Sequence, residues 1–207
     1  MKTITVTEAL RELSLYDEKI DKALQNVEFV ALQKKGSTMK HEDIKEATTR
    51  IKANYSSVKD LIENRNKIKA AVVRSNAVTM VTVGSTEMTV AEAIERKHSI
   101  GYEKKLLNKL VYQIKTAEMQ VEKQNAEVQK VIDKLLSDIA GSDSEDITAK
   151  QQVIETTYRE ANEWELLDPI HIKEESEKLE NTIADFLANV DTALSICNAV
   201  TTITIDM

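Results

Sequence analysis

Chain breakers are scarce: 207 residues hold one proline and four glycines. With so few interruptions and many Ala, Lys, Glu, Leu and Ile, the chain favours long helices over a loop-rich or all-β fold. Aromatic residues are also few, at 4% against 42% hydrophobic overall, so the core must be aliphatic, of the kind that suits interlocking helix seams. A single cysteine, Cys197, excludes an internal disulfide framework and fits a reducing compartment. The N-terminal stretch "MKTITVTEAL" lacks the apolar centre of a signal peptide, and no uninterrupted apolar run reaches membrane-spanning length. The expectation is a cytoplasmic protein that does not enter a membrane. An excess of positive charge is missing too. At a net charge of −7 the chain is a poor coat for polymeric nucleic acid, although a few local Arg and Lys would suffice for a small anion.

Catalytic signatures are equally scarce. The sequence has no phosphate-binding Gly-rich loop, no GxGxxG, no GxSxG and no HExxH. His41 and His171 stand near expected helix starts and His98 within a helix, as surface or capping residues do. Cys197 reads as a small buried residue at a helix end. The many carboxylates alternate with lysines at helical spacing, as in "EDIKEATTR", which describes solvated faces. Neither a metal nor a cofactor is expected, and an enzyme is not the expected class.

Two echoes stand out among what is present. "SNAVTMVTV" (Ser75–Val83) returns as "CNAVTTITI" (Cys197–Ile205), and "TVTEAL" (Thr5–Leu10) returns as "TVAEAI" (Thr89–Ile94). Thr5 with Glu8, and Thr89 with Glu92, have the spacing of a capping box, in which cap and third residue satisfy each other's backbone amides. The first box follows a short alternating strand over residues 2–6 and opens a helix expected to reach about Lys35, where "GST" breaks it. A second helix is expected from about Lys40 to Ser75, with Asn76 as its terminator. "GSTE" (Gly84–Glu87) is a hairpin turn, and a third helix runs from Val90 to about Ile139. A polar loop over Gly141–Asp146 precedes a helix over about Thr148–Glu165. Asp168 and Pro169 then supply the cap and first position of a last helix, which leaves through Asn198 into a strand. Each half therefore reads strand, helix, helix, strand. We read a single mainly α domain over 1–207, built from pseudo-repeats 1–85 and 86–207 with an insertion around 140–169. Its architecture is a long antiparallel helical bundle from an internal duplication, with a small four-stranded β-sheet at one end.

The polar residues gather at that end. Arg74, Asn76 and Thr79 lie at one helix–strand junction, Asn198 and Thr201 at its counterpart, and Arg96 and Tyr102 follow the third helix's cap. Helix N-termini there favour anions. Arg offers a bidentate fork for phosphate, Asn can read a base edge and Tyr can stack on a ring. These seven residues form the candidate ligand site, although Asn and Thr also belong at helix exits for backbone reasons.

The stretch "RSNAVT…MTVAEAIERK", a long Lys/Glu-rich helix and a late "LLDP" resemble a septicolysin-like family of small helical proteins of bacteria and phages. The resemblance is carried by Arg74, Asn76, Thr79, the "GSTE" turn, Ala91, Ala93 and Arg96, and covers the middle and C-terminal two-thirds. No amphipathic membrane-inserting segment accompanies it, so the pore-forming label of that family fits poorly. The chain is also similar in type to phage anti-CBASS sponge proteins, which are small, acidic, oligomeric and non-catalytic. That resemblance implies an immune-evasion protein that sequesters a cyclic dinucleotide, acts as a homo-oligomer and works in the host-cell cytoplasm. The alternatives are a structural or scaffolding helical protein, such as a virion component or coiled-coil adaptor, and a hydrolase or transferase acting at the same site.

Overall fold

The computed structural model describes residues 1–32, 41–139 and 147–206. Among them are β1 (Lys2–Thr5), α1 (Val6–Asn26), α2 (His41–Val78), β2 (Met80–Val83), β3 (Thr86–Thr89), α3 (Val90–Ile139), α4 (Ile147–Asn162), α5 (Ile172–Val200) and β4 (Thr202–Ile205). The fold is mainly α. The segments expected as breaks at Gly36 and over Gly141–Asp146 lie outside the described residues. The chain divides into two compact units: Met1–His98 with Asp185–Met207, and Ser99–Ala184.

In the first unit, alternation in the short strands selects one buried face. Ile4 of β1 and Ile203 and Ile205 of β4 turn inward, where they join Val6, Ala9 and Leu13 of α1 and Ile68, Ala71 and Val72 of α2 in one core. Ala9 and Ala71 are small enough to let the two helices approach closely. α1 and α2 run antiparallel, since Asp17 takes a 2.8 Å hydrogen bond from Arg65 Nε while the Phe29 ring meets Tyr55 edge-on further along. α3 and α5 are tied in the same unit by Lys97 to Asp191 and by the Arg96 guanidinium, 4.5 Å from the centre of the Phe186 ring. Phe186 and Val190 are almost fully buried.

The expected four-stranded sheet is corrected to two separate two-stranded ladders, β1–β4 and β2–β3. A two-stranded ladder is marginal on its own and is stabilised by helices packed on its apolar face. Both ladders are antiparallel and share one register: Ile4 opposes Ile203 and Thr5 opposes Thr202, as Met88 opposes Val81 and Thr89 opposes Met80. The sequence echoes thus sit at matching places. Thr201 O accepts from Val6 N at 2.9 Å, and Thr79 O accepts from Val90 N at 2.9 Å. Burial follows the same order from Val73 to Val83 as from Ser195 to Ile205, and from Lys2 to Ala9 as from Thr86 to Ala93.

Both capping boxes form. Glu8 N donates to Thr5 Oγ1 at 3.2 Å while Thr5 N donates to a Glu8 carboxylate oxygen at 2.8 Å. The pair Thr89 and Glu92 repeats this at 3.1 and 2.7 Å. Backbone and hydroxyl donors favour the ionised carboxylates, so Glu8 and Glu92 are both held below the usual glutamate range.

Several helix ends depart from expectation. α1 stops at Asn26, whose side-chain amide donates to Lys22 O at 2.7 Å, and Val27 is extended. α2 continues through Asn76 to Val78, because Thr79 N still donates to Ser75 O at 2.9 Å. α5 likewise passes through Asn198 to Val200. At its start, Asp168 does not cap a helix at Pro169. Its carboxylate accepts from Ile172 N at 2.8 Å across a turn in which His171 has φ 54°, a left-handed conformation that histidine visits more readily than most residues.

The second unit holds the rest of α3, all of α4 and the first part of α5. Arg159 donates to Gln129 Oε1 at 2.6 Å, and Lys173 pairs with Glu118. After α4 the chain is held by Asn125, which gives its amide to Trp164 O at 2.9 Å and takes Trp164 N at 2.8 Å. Among the described residues α5 is, by length and composition, apolar enough to cross a membrane. Its second half nonetheless carries Asp185, Asn189 and Asp191, the first and last of which are engaged with Ser85 and Lys97.

Candidate functional site

A groove in the first unit collects polar groups from two helices. Thr7, Leu10, Arg11 and Ser14 of α1 face Asp191, Leu194, Ser195 and Asn198 of α5 across about 510 Å³. Each set has the spacing i, i+3, i+4, i+7, which places it on a single helix face. Leu10 and Leu194 give the groove an apolar floor patch. Hydroxyls of Thr7, Ser14 and Ser195 and the Asn198 amide can both donate and accept, and Arg11 supplies the cation. Asp191 would repel an anion if left alone, but Lys97 neutralises it.

The seven residues singled out in the sequence are distributed as follows. Asn198 lines this groove. Thr201 follows the same helix, where its carbonyl receives Val6 N and its own amide donates to Cys197 O at 2.9 Å. Thr79 has the matching backbone role in the other ladder, and its hydroxyl lies 3.4 Å from Ser75 Oγ. Arg74 is exposed and Asn76 half-buried on the last turns of α2. Arg96 is stacked against Phe186. Tyr102 belongs to the second unit, where it is exposed with the Lys105 ammonium 5.7 Å from its ring centre. The structure therefore gathers these residues at two equivalent helix exits, with Arg96 beside one core aromatic and Tyr102 in a different unit.

The helix N-termini expected to attract an anion are partly spoken for. Glu8 and Glu92 place their own carboxylates there, on the amides of Thr5 and Thr89. A built-in negative charge at each terminus disfavours a second one. Arg11, Ser14 and Ser195 were not singled out from sequence; the shared i, i+3, i+4, i+7 spacing of two helix faces was the available signal.

A second polar device lies at the β2–β3 turn. Gly84 has φ 59°, and Ser85 N donates to Asp185 Oδ2 at 3.0 Å. Asn189 donates to the other Asp185 oxygen at 3.0 Å, so the carboxylate is locked over the turn. This anchor holds the hairpin on α5. Among the described residues no group of His, Cys, Asp and Glu could hold a metal ion.

The fold and groove together define a mainly α protein with a polar inter-helix cleft. No protein-family model, curated protein or solved structure matches the chain. The septicolysin-like resemblance thus rests on the quoted residues alone.

Proposed function

We propose that this is a non-enzymatic binding protein of phage type that sequesters a small anionic ligand, with a cyclic oligonucleotide second messenger as the ligand class. The observation that carries the reading is the α1–α5 groove, where one guanidinium stands among three hydroxyls and an amide over an apolar patch. Arg11 would hold a phosphate, Asn198 a base edge, and Leu10 and Leu194 the faces of sugar or base. Sequestration acts by mass action, so it lowers free messenger only when sites are at least as numerous as messenger molecules. The matching registers and bonds of the two ladders support a further part of the reading, that the halves descend from one duplicated unit.

Native mass spectrometry of the purified protein with a panel of cyclic di- and trinucleotides tests this. The expected result is an intact adduct with no cleavage product, lost in Arg11→Ala and weakened in Asn198→Ala while helicity is retained. Adducts unaffected by both variants would move the site elsewhere, with Arg74→Ala as the next variant. Absence of any adduct favours the second reading, a scaffolding or structural protein. That reading draws on exposed apolar residues along α3, among them Leu106, Tyr112 and Met119.

A further inference from the structure

α4 leaves one side open. Ala149, Val153, Thr157 and Ala161 follow each other at intervals of four along an exposed face, and Val153 is 64% exposed. Two adjoining apolar grooves, of about 370 and 380 Å³, run along the helix beside Ile154 and Tyr158, the first reaching Ile139 at the end of α3. Lys150 and Glu160 lie on the same face, both exposed, and among the described residues neither has an ion-pair partner. By contrast, Glu155 and Arg159 on the flank are paired at 3.1 Å.

The pattern is self-complementary. If two copies of α4 lie antiparallel with their two-fold axis at residue 155, Lys150 of each copy stands opposite Glu160 of the other. In the same register Ala149 meets Ala161 and Val153 meets Thr157. Small residues at the ends permit close approach, and the similar volumes of Val and Thr fill the middle. Glu155 points away from the seam, so the axis does not bring like charges together. A parallel pairing in register would instead set Lys150 against Lys150 and Glu160 against Glu160. An isologous contact of this kind closes on itself as a dimer.

We propose that the exposed face of α4 is the seat of a second copy of this chain, bound antiparallel through reciprocal Lys150–Glu160 pairs around Val153 and Thr157. A 16-residue helix is about 24 Å long, so the contact is small and dimerisation depends on protein concentration. The inference stands apart from the ligand reading, because α4 contributes nothing to the α1–α5 groove.

Charge reversal tests it in the full chain by sedimentation velocity over a concentration series, with circular dichroism to verify folding. Wild type is expected to shift from monomer to dimer. Lys150→Glu and Glu160→Lys should each weaken dimerisation about tenfold, since each change turns two symmetry-related attractions into repulsions. Mixing the two single variants should restore a heterodimer, because every 150–160 contact is then opposite in sign, and the double variant should restore the homodimer. Nucleotide binding should be unchanged throughout. A wild-type protein that stays monomeric, a dimer indifferent to either reversal, or variants that remain monomeric when mixed would each overturn the proposal.

Discussion

At the scale of single residues, the two capping threonines and Gly84 exert the most local control. Thr5→Ala and Thr89→Ala should each lower stability by about 1 kcal/mol, measurable by urea unfolding. The glutamates of the same boxes predict an acid response. Their carboxylates titrate below the usual range when folded, so their stabilising contribution is present above the unfolded value of about 4.3 and is lost as pH falls through the depressed folded value. Glu8→Gln with Glu92→Gln keeps the hydrogen-bonding shape but cannot titrate, and its melting temperature should fall less steeply over that acid window than the wild type's. Gly84 is a stricter case. A Cβ there would lie 2.0 Å from Asp185 Oδ2 in a backbone conformation that side chains avoid. Gly84→Ala should cost more than about 1 kcal/mol, whereas Ser85→Ala, which keeps the backbone donor, should cost much less.

Elements were legible where local chemistry decides them. The capping boxes, the β2–β3 hairpin and the bounds of α3 follow directly from Thr-x-x-Glu spacing, "VGST" and an unbroken helical period. Ends governed by distant partners were not legible. Asn76 is a good terminator by type, yet its helix continues because Thr79 has a backbone acceptor in Ser75 and a donor in Val90 from a different element. The segment after α4 is held by Asn125, some forty residues earlier in the chain, which no local pattern reveals. Of the candidate groove only Asn198 was in sight, because Arg11 acquires meaning only when α1 and α5 face each other. A test at this scale uses the sole tryptophan. Asn125→Ala removes both hydrogen bonds to residue 164 and should change Trp164 emission and its quenching by acrylamide, with little loss of overall helicity. In the first unit, Phe186→Ala should cost about 3–5 kcal/mol by denaturant unfolding, as expected for an almost fully buried ring.

On the scale of the whole molecule, the two ladders have equivalent registers, but only one is bridged by a turn. In β2–β3 the chain passes directly through Gly84 and Ser85; in β1–β4 the paired strands are the first and last of the described elements. Opening the chain between Gly84 and Ser85 and joining residues 206 and 2 by a short Gly-containing linker should therefore preserve the fold. A cooperative unfolding transition and an unchanged circular dichroism spectrum are the expected outcomes. A permuted chain that fails to fold would show that the two ladders are unequal in what they contribute.

The pairing of β1 with β4 also sets an order on biosynthesis. Ile4 leaves the ribosome before α2, α3, α4 and α5 are made, whereas the Ile203 and Ile205 side chains that share its core follow them. The second unit is continuous in sequence and can form while translation proceeds. The β1–β4 core of the first unit cannot close until β4 emerges, so its half-built part waits, exposed to chaperones and proteases, while the second unit is made.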